Sequence, residues 1–297
     1  MAPAVLRQLR ELRHEVTGRI RHYGSHGFVR LSPEQRETWA ARIYARDGMA
    51  TKGLLKGWFG RAPLWIAAGP AGGMAVSTVH LPLNHGQFAD IIRGTLEPPV
   101  AEAMLRTVRP GHVVYDVGAN LGYWTLVASR LVGPEGRVVA FEPVPWCAEG
   151  VAANIALNDL HHAEVRPQAV SDASGRVRLL VVGEAGHSRL ASVGSHVNTR
   201  DEIDVDAVAI DDLVAAGTIP PPDVLKIDTE GAELLVIEGM RDTIARHAPR
   251  IICEVHDNTV AFAKLMDDVG YRTTNLSEPW PITEAGNHIY VLAEPRE

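Results

Sequence analysis

Acidic residues combined with glycine follow the predicted buried strands of this sequence, and they are its best candidates for chemistry. The run DVGANLG at 116–122 follows the apolar run Val113–Val117 and precedes a helical pattern. A strand that ends in a glycine-rich turn and opens a helix is where doubly wound sheets bind ligands. Glu142 ends the next apolar run, and a carboxylate at that place accepts the ribose hydroxyls of an adenosine-containing ligand.

The glycine spacing separates this turn from dinucleotide and phosphate loops. G-x-x-x-G, formed by Gly118 and Gly122, replaces G-x-G-x-x-G, and the chain has no G-x-x-x-x-G-K-[ST] motif. Asp116, directly ahead of the turn, would repel a pyrophosphate but would attract an ammonium or sulfonium group. These features favour S-adenosylmethionine as the cofactor and disfavour a nicotinamide dinucleotide.

A second acidic segment, DTEGAE at 228–233, follows another predicted buried strand. Asp228 is our first candidate for a general base, with Glu230 facing the same cleft, because an alcohol must lose its proton as its oxygen attacks a methyl group. His256 is the second candidate, since an imidazole titrates near neutrality. Glu254 and His256 alternate along a predicted strand, so their side chains point to the same side.

Asp228, Glu230, Glu254 and His256 also define an alternative, in which they gather a Mg²⁺ or other divalent ion that polarises the substrate oxygen. We assign no metal ligand on the sequence alone, because carboxylates at strand ends are commonly structural. Undiminished turnover in excess EDTA would exclude the metal-dependent alternative.

The elements that must position these residues alternate between strand and helix. Apolar runs of strand length alternate with helical patterns over 113–170, which predicts a parallel sheet with helices on its faces. The further predicted elements are strands at Val177–Val181, Ile203–Val208, Val224–Asp228, Arg250–Val255 and His288–Ala293, and a helix over Glu233–His247. The stretch 183–200 is predicted to be a polar loop.

Several of these segments together resemble the FkbM family of S-adenosylmethionine-dependent methyltransferases. The resemblance rests on DVGANLGYW at 116–124, FEP at 141–143, Asn154 to Asn158 and KIDTEGAE at 226–233. It covers roughly residues 90–257. It implies an α/β fold, the class I methyltransferase (Rossmann-like) seven-stranded sheet with its last strand antiparallel, and methylation of hydroxyl groups on sugars and other natural products.

The resemblance also implies the cofactor-binding residues Glu97, Asp116, Gly118, Asn120, Gly122, Glu142, Ser171 and Asp228. The turn residues would line the methionine end of the cofactor, and Glu142 would hold its ribose. Ser171 would border the adenine, and Glu97 would reach the amino group. The catalytic candidates remain Asp228, His256 and Glu230.

Residues 1–85 do not match the family pattern, and we expect a helical and mixed cap over 1–90 and a methyltransferase domain over 91–297. The first thirty residues are basic, with Leu9, Leu12, Val16 and Ile20 at helical spacing. This pattern predicts an amphipathic helix that packs on the body of the protein or on a second subunit of a homodimer. Another helix is predicted to start at Ser32.

Composition excludes several classes of protein. The 297 residues are 46% hydrophobic and 22% charged, which excludes disorder and disulfide-stapled miniproteins. A net charge of −7 argues against nucleic acid as the main partner. Cys147 and Cys253 lie among apolar residues, as buried thiols do in a reducing cytoplasm. The sequence shows neither a signal peptide nor a membrane span.

These observations predict an S-adenosylmethionine-dependent O-methyltransferase acting on a small natural product or sugar-containing metabolite. N- or carboxyl-methylation on the same scaffold is the closest alternative, because the cofactor half is the same whichever atom attacks. A binding module with lost catalysis is disfavoured because the acidic positions Asp116, Glu142, Asp228 and Glu230 are all filled.

Overall fold

The computed structural model describes residues 63–77, 86–182, 187–190, 201–286 and 288–296. The helices predicted within 1–30 and from Ser32 lie outside the described residues, and the domain boundary at residue 90 stays a prediction. Within the described ranges, no helix has the length and apolar character needed to cross a membrane.

The described residues form thirteen strands and eight α-helices. The strands are β1 (Leu64–Trp65), β2 (Ala75–Val76), β3 (Val113–Val117), β4 (Arg137–Phe141), β5 (Ala163–Arg166), β6 (Ala169–Val170), β7 (Gly175–Val182), β8 (His187–Leu190), β9 (Asp201–Val208), β10 (Val224–Ile227), β11 (Arg250–His256), β12 (Tyr271–Asn275) and β13 (His288–Pro295). The helices are α1 (Gly86–Arg93), α2 (Pro98–Thr107), α3 (Tyr123–Val132), α4 (Pro145–Leu157), α5 (Ile210–Ala215), α6 (Glu233–Glu238), α7 (Arg241–His247) and α8 (Thr259–Asp268).

Seven strands build one sheet in the order β12-β13-β11-β10-β3-β4-β5. The strands from β11 to β5 run parallel to one another, whereas β13 runs antiparallel to both β11 and β12. This confirms the predicted seven-stranded methyltransferase sheet with its last strand antiparallel. The central strands β3, β4 and β10 read as near-continuous apolar runs because helices cover both faces of the sheet.

Two large apolar clusters pack against the two faces of this sheet. One contains Val114, Val224 and Ile252 together with residues of α2 and α3. The other contains Tyr115 and Leu225 together with residues of α6, α7 and α8. Adjacent residues of one strand therefore belong to different clusters, as the alternation of side chains along a strand requires.

The structure corrects two sequence predictions about elements and adds two elements that the sequence did not predict. The helix predicted over Glu233–His247 is divided into α6 and α7 at Gly239, where an added Cβ would lie 2.0 Å from the Ser171 carbonyl oxygen. The single strand predicted over 163–170 is also divided, with β5 in the large sheet and β6 in a second sheet. Helix α8 and strand β12 were not predicted.

A second sheet has the strand order β6-β9-β7-β8. It confirms the predicted pairing of the segments around Val177–Val181 and Ile203–Val208, which run antiparallel as β7 and β9. Residues 187–190, inside the predicted loop 183–200, instead form strand β8 against β7. The other residues of that predicted loop lie outside the described part of the chain.

Asn154 of α4 and Asn158, the residue after α4, bind the segment 63–77 to the rest of the fold. Asn158 accepts a hydrogen bond from the Ala75 amide at 2.7 Å and donates one to the Ala75 carbonyl at 2.8 Å. Asn154 accepts from the Ser77 amide at 2.6 Å and donates to the Leu121 carbonyl at 2.8 Å. These side chains satisfy backbone groups as a neighbouring strand would.

Gly118 is the glycine whose replacement should damage the fold most directly. Its φ is +76°, and an added Cβ would lie 1.8 Å from the backbone oxygen of Asp228. We expect Gly118→Ala to lower the free energy of unfolding by about 2–4 kcal/mol, because left-handed strain adds to overpacking against a backbone atom. Urea denaturation followed by circular dichroism measures this change.

Gly217→Ala is the matched control. Gly217 also has a left-handed φ, +65°, and it ends α5 with amide bonds typical of a Schellman cap, but an added Cβ there would meet nothing within 4 Å. The control should therefore lose only about 1 kcal/mol. Equal losses in the two variants would show that the contact with Asp228 does not limit position 118.

Candidate active site

The site is a cleft at the carboxyl edge of the large sheet, where neighbouring parallel strands end. The register places Asp116 of β3 beside Lys226 of β10, and Lys226 beside Ile252 of β11. Asp228 and Glu254 each come two residues later, so they occupy the next positions on the same face of the sheet. One face of this edge therefore carries several charged side chains.

The cleft contains about 1020 Å³ of space, counting the part that opens to solvent. Its lining includes six of the residues predicted from the sequence, namely Glu97, Gly118, Asn120, Glu142, Asp228 and Glu230. Among the described residues, Asp116, Gly122, Ser171 and His256 do not belong to the lining.

Asp116 is buried beneath the cleft with one oxygen atom unsatisfied. Its Oδ2 accepts a hydrogen bond from the Thr125 hydroxyl at 2.6 Å, whereas Oδ1 has no hydrogen-bond partner among the described residues. Burial raises the pKa of this carboxyl, although Lys226 and Thr125 oppose the shift. Because an unpaired buried acceptor costs free energy, Oδ1 marks a place where a donor or cationic group of a ligand would be stabilised.

The two glycines of the turn make room for other parts of the protein. Gly118 packs against the backbone of Asp228, and its amide donates to the Phe141 carbonyl at 3.0 Å. Gly122 precedes α3 with a left-handed φ of +78°, and an added Cβ would lie 3.3 Å from Val151 of α4. The backbone that approaches Gly118 closely is the end of β10, and Gly118 also lines the cleft.

Glu142 is held by backbone amides, one on each carboxylate oxygen. Oε2 accepts from the Asn120 amide at 2.7 Å, and Oε1 accepts from the Val144 amide at 2.8 Å. A carboxylate offers about four acceptor sites, so these bonds leave sites on both oxygens for two further donors such as vicinal hydroxyls. Burial raises the pKa of Glu142 to about 7, against the opposing effect of the two amides.

Glu97 stands immediately before α2, but it does not cap that helix. Its side chain turns into the cleft and accepts a hydrogen bond from Trp124 Nε1 at 3.0 Å. Burial raises the pKa of the Glu97 carboxyl, and the charge of Lys226 opposes that shift. The structure thus places Glu97 in the cleft rather than on a solvated helix start, and it gives Trp124 a polar partner that the sequence analysis did not anticipate.

Lys226 is a buried cation surrounded by carboxylates. Its side chain is 4% exposed, and its Nζ lies 3.1 Å from Asp228 Oδ2. Burial lowers the pKa of Lys226, but the charges of Asp228, Asp116 and Glu97 outweigh burial and raise it above its ordinary value. Lys226 therefore stays charged and forms an ion pair with Asp228.

Backbone strain is concentrated around the cleft. Six non-glycine residues in the described part of the chain have a positive φ, and three of them line the cleft: Glu97 at 43°, Asn120 at 47° and Glu230 at 54°. Such conformations cost of order 1–3 kcal/mol each and tend to cluster at functional sites. Each of these residues lies near the end of a helix or strand, and its strained backbone directs it toward the cleft.

A comparison with protein-family models identifies the "Methyltransferase FkbM domain" over residues 116–273, which is more than half of the chain. The chain belongs to the FkbM methyltransferase family. This confirms the resemblance inferred from the sequence, and together with the sheet order it identifies the protein as a class I methyltransferase.

Two curated relatives show the degree of similarity. The 31-O-demethyl-FK506 methyltransferase FkbM of Streptomyces tacrolimicus is 30% identical over 64% of this chain and 82% of its own length. The hexuronic acid methyltransferase AglP of Haloferax volcanii is 29% identical over 54% of this chain, and the match spans only 62% of AglP. Among solved structures, a methyltransferase FkbM from Methylobacillus flagellatus is similar, with 15% identity, a TM-score of 0.43, and coverage of 70% of this chain and 53% of that one.

His256 of this FkbM methyltransferase is surrounded by carboxylates. Its Nδ1 lies 3.0 Å from Glu233 Oε1, and its Nε2 lies 3.7 Å from both Glu230 Oε2 and Glu254 Oε1. Burial lowers the pKa of His256, but Glu233, Asp228 and Glu230 outweigh burial and raise it to about 9. An imidazole that is protonated at neutral pH cannot accept a substrate proton, so the geometry favours Asp228 over His256 as the base.

Ser171 is buried at the junction of the two sheets and α6. Its amide donates to the Val208 carbonyl, and its hydroxyl donates to Asp172 at 3.0 Å. The residues just before it, Gln168 to Val170, line the cleft together with Leu179. The lining of the cleft therefore ends one residue before Ser171, and the role of this segment as the border of the adenine stays a prediction.

Lys226 is the residue of this site whose role the sequence analysis missed. It stands two positions before Asp228, so strand alternation alone places both side chains on one face. Its burial, however, depends on α2 and β11 covering that face, and the sequence does not show these contacts directly.

Replacing Lys226 should destabilise the FkbM methyltransferase strongly. We expect Lys226→Met to lower the free energy of unfolding by about 3–5 kcal/mol, because it leaves buried carboxylates without their counter-ion. Adding Asp228→Asn should recover part of this loss, since the second substitution removes one unpaired charge. Denaturant titration of the two single variants and the double variant measures the coupling.

Lys264→Met is the control for loss of a lysine ion pair in general. Lys264 Nζ lies 2.7 Å from Asp268, but its side chain is 76% exposed, so stability should be unchanged within error. Additive effects of the Lys226 and Asp228 substitutions would contradict an energetically coupled pair.

Proposed function

We propose that this FkbM methyltransferase uses S-adenosylmethionine to methylate a hydroxyl group of a small natural product or sugar-containing metabolite. Two of its relatives support this acceptor class by name, one as a hexuronic acid methyltransferase and the other as a 31-O-demethyl-FK506 methyltransferase. The observation that carries the proposal is the carboxylate of Asp228, which pairs with Lys226 and lines the same cleft as Glu142 and Glu97.

The residues of the cleft fit S-adenosylmethionine, which when bound supplies an electrophilic methyl group on a positively charged sulfur. Glu142 would accept the ribose hydroxyls with the acceptor sites that its two amide bonds leave open. Asp116 Oδ1, buried and without a hydrogen-bond partner among the described residues, and Glu97 would attract the cationic groups of the cofactor. The positive charge of Lys226 offsets part of the negative charge of these carboxylates, and the cleft as a whole stays acidic.

Asp228 would act on the acceptor. As the new O–C bond forms, the proton on the attacking oxygen becomes strongly acidic, so a carboxylate is sufficient to take it. The ion pair with Lys226 fixes the orientation of the Asp228 carboxylate at 3.1 Å. Most of the rate would come from holding oxygen, carbon and sulfur in line, which requires a base that does not move.

The ribose role of Glu142 gives a pH dependence whose sign is defined. In the free chain the pKa of Glu142 is about 7, so below that pH the protonated carboxyl can no longer accept two hydroxyls. A ligand that binds the ionised form loses up to tenfold in affinity for each pH unit below the pKa. We expect the Kd for S-adenosylhomocysteine, measured by calorimetry, to rise about tenfold between pH 8 and pH 6.

Two variants isolate this effect from other titrating groups, including Asp116. Glu142→Gln should weaken binding about 10- to 100-fold at pH 8 and flatten the pH profile, because it removes the charge-assisted bonds. Glu135→Gln changes an exposed carboxylate at the opposite, amino-terminal end of β4, and it should keep the wild-type profile. An unchanged profile in Glu142→Gln would remove Glu142 from the ribose site.

The catalytic role of Asp228 predicts a separation of turnover from binding. Asp228→Asn should lower turnover by about 10²-fold or more, while affinity for S-adenosylhomocysteine, which lacks the sulfonium charge, changes little. Turnover is measured by mass spectrometry as S-adenosylhomocysteine formed from S-adenosylmethionine with a panel of glycoside and macrolide alcohols. Each alcohol is matched by an analogue in which an amine replaces the free hydroxyl.

Glu230→Gln is the matched variant, since it neutralises a second carboxylate of the same cleft. Near-normal turnover in Asp228→Asn with a large loss in Glu230→Gln would transfer the role of base to Glu230. Methylation of the amine analogues alone would overturn the proposal of O-methylation.

A further inference from the structure

Two histidines face each other across strands β11 and β13, next to the cleft. His256 and His288 are direct partners in the antiparallel register, and their rings stack with centroids 4.9 Å apart and an interplanar angle of 20°. The sequence analysis assigned no role to His288. A cross-strand pair of this kind brings one nitrogen of each imidazole ring within reach of a common ligand.

Carboxylates complete the group on the side toward the cleft. Glu254, two residues before His256 on β11, contacts the Nε2 atom of His288 and lies 3.7 Å from His256 Nε2. Ligand atoms of Glu254, His256 and His288 all lie within 4.8 Å of one another. Two ligands of one ion with bonds near 2.1 Å are roughly 3–4 Å apart, so the spacings among Glu254, His256 and His288 allow a shared ion. Glu230 Oε2 lies 3.7 Å from the same nitrogen of His256 and adds negative charge beside the group.

A buried carboxylate orients the His256 ring. Glu233 Oε1 is fixed by the Gly231 amide at 2.8 Å and faces His256 Nδ1 at 3.0 Å, and its side chain is only 2% exposed. A hydrogen on Nδ1 donated to this acceptor leaves Nε2 as the ligand atom. A carboxylate behind the second nitrogen is the usual partner of a metal-bound histidine.

We propose that Glu254, His256 and His288 form a binding site for one divalent transition-metal ion, of the Zn²⁺ or Mn²⁺ type. Two imidazole nitrogens with a carboxylate suit Zn²⁺, Mn²⁺ and Co²⁺, whereas Mg²⁺ prefers oxygen ligands and water. Such ions bind neutral imidazole, so loading the site displaces the proton that His256 holds in the free chain. The carboxylates that stabilise that proton would stabilise the metal charge instead.

The site adjoins the place where we expect the acceptor. Glu230 and Glu254 line the cleft that also contains Asp228. A metal ion held there would polarise the acceptor oxygen beside the base, which is how metal ions assist oxygen nucleophiles. This catalytic role rests on the proposed function, whereas the metal binding itself does not.

Calorimetry on the full chain, without an affinity tag and after dialysis against EDTA, tests the binding with Zn²⁺, Mn²⁺ and Mg²⁺ as separate titrants. We expect one equivalent of Zn²⁺ to bind and Mg²⁺ to give no heat at this site. His288→Gln should weaken Zn²⁺ binding tenfold or more, and Glu233→Gln should weaken it about 10- to 100-fold through the orientation of His256. Co²⁺ added to the wild type should give visible d–d absorption that His288→Gln reduces.

His161→Gln is the matched control, because His161 is exposed and lies in the turn before β5, away from the cluster. Zn²⁺ binding that is absent, or that is equal in the wild type and His288→Gln, would overturn the metal site, as would binding that His161→Gln weakens to the same extent. S-adenosylhomocysteine binding in the same samples separates the outcomes, since a chain that binds this ligand but no metal keeps the proposed function and loses only the metal site.

Discussion

The buried ammonium group of Lys226 makes the acidic cleft compatible with a folded protein. Several carboxylates meet at one edge of the sheet, and burying them without a counter-ion would cost several kcal/mol for each charge. The ammonium group lies among Asp228, Asp116, Glu97 and Glu254, and their charges keep it protonated despite its burial. The negative charge that suits a cationic cofactor can therefore be kept in the folded protein, because the buried Lys226 offsets part of that charge.

The register of the sheet explains why chemistry is confined to one edge. Successive rows on one face read Val114 and Val224, then Asp116 and Lys226, and then Asp228 and Glu254. The first row belongs to the apolar core, and the later rows carry charge. The change from apolar to charged takes place within about four residues of each strand, so the core and the site share the same elements and a shift in register would disrupt both.

The central elements and part of the site could be predicted from the sequence because their signals are local. Val113–Val117 is an apolar run of strand length, and the structure gives that strand the same bounds. Strand β12 is polar at most positions apart from Tyr271, so it carries no comparable signal. The part proposed for His288 depends on its pairing with His256 across β11 and β13, and that register is set by tertiary packing. The sequence analysis also assigned no role to Asp211, whose carboxylate accepts from the Thr243 and Asp242 amides at the start of α7.

The two halves of the cleft hold their carboxylates in different ways, and this difference fits the different tasks that we propose for them. Glu142, near β3 and β4, is held by backbone amides, which fix its position and leave acceptor sites for neutral hydroxyl donors. Asp228, on the side of β10, is held by an ion pair with Lys226. Backbone amides do not change with the protonation state of the site, so they suit recognition. A side-chain ion pair responds to charge, so the proton transfer that we propose is placed on the side of Lys226 and Asp228.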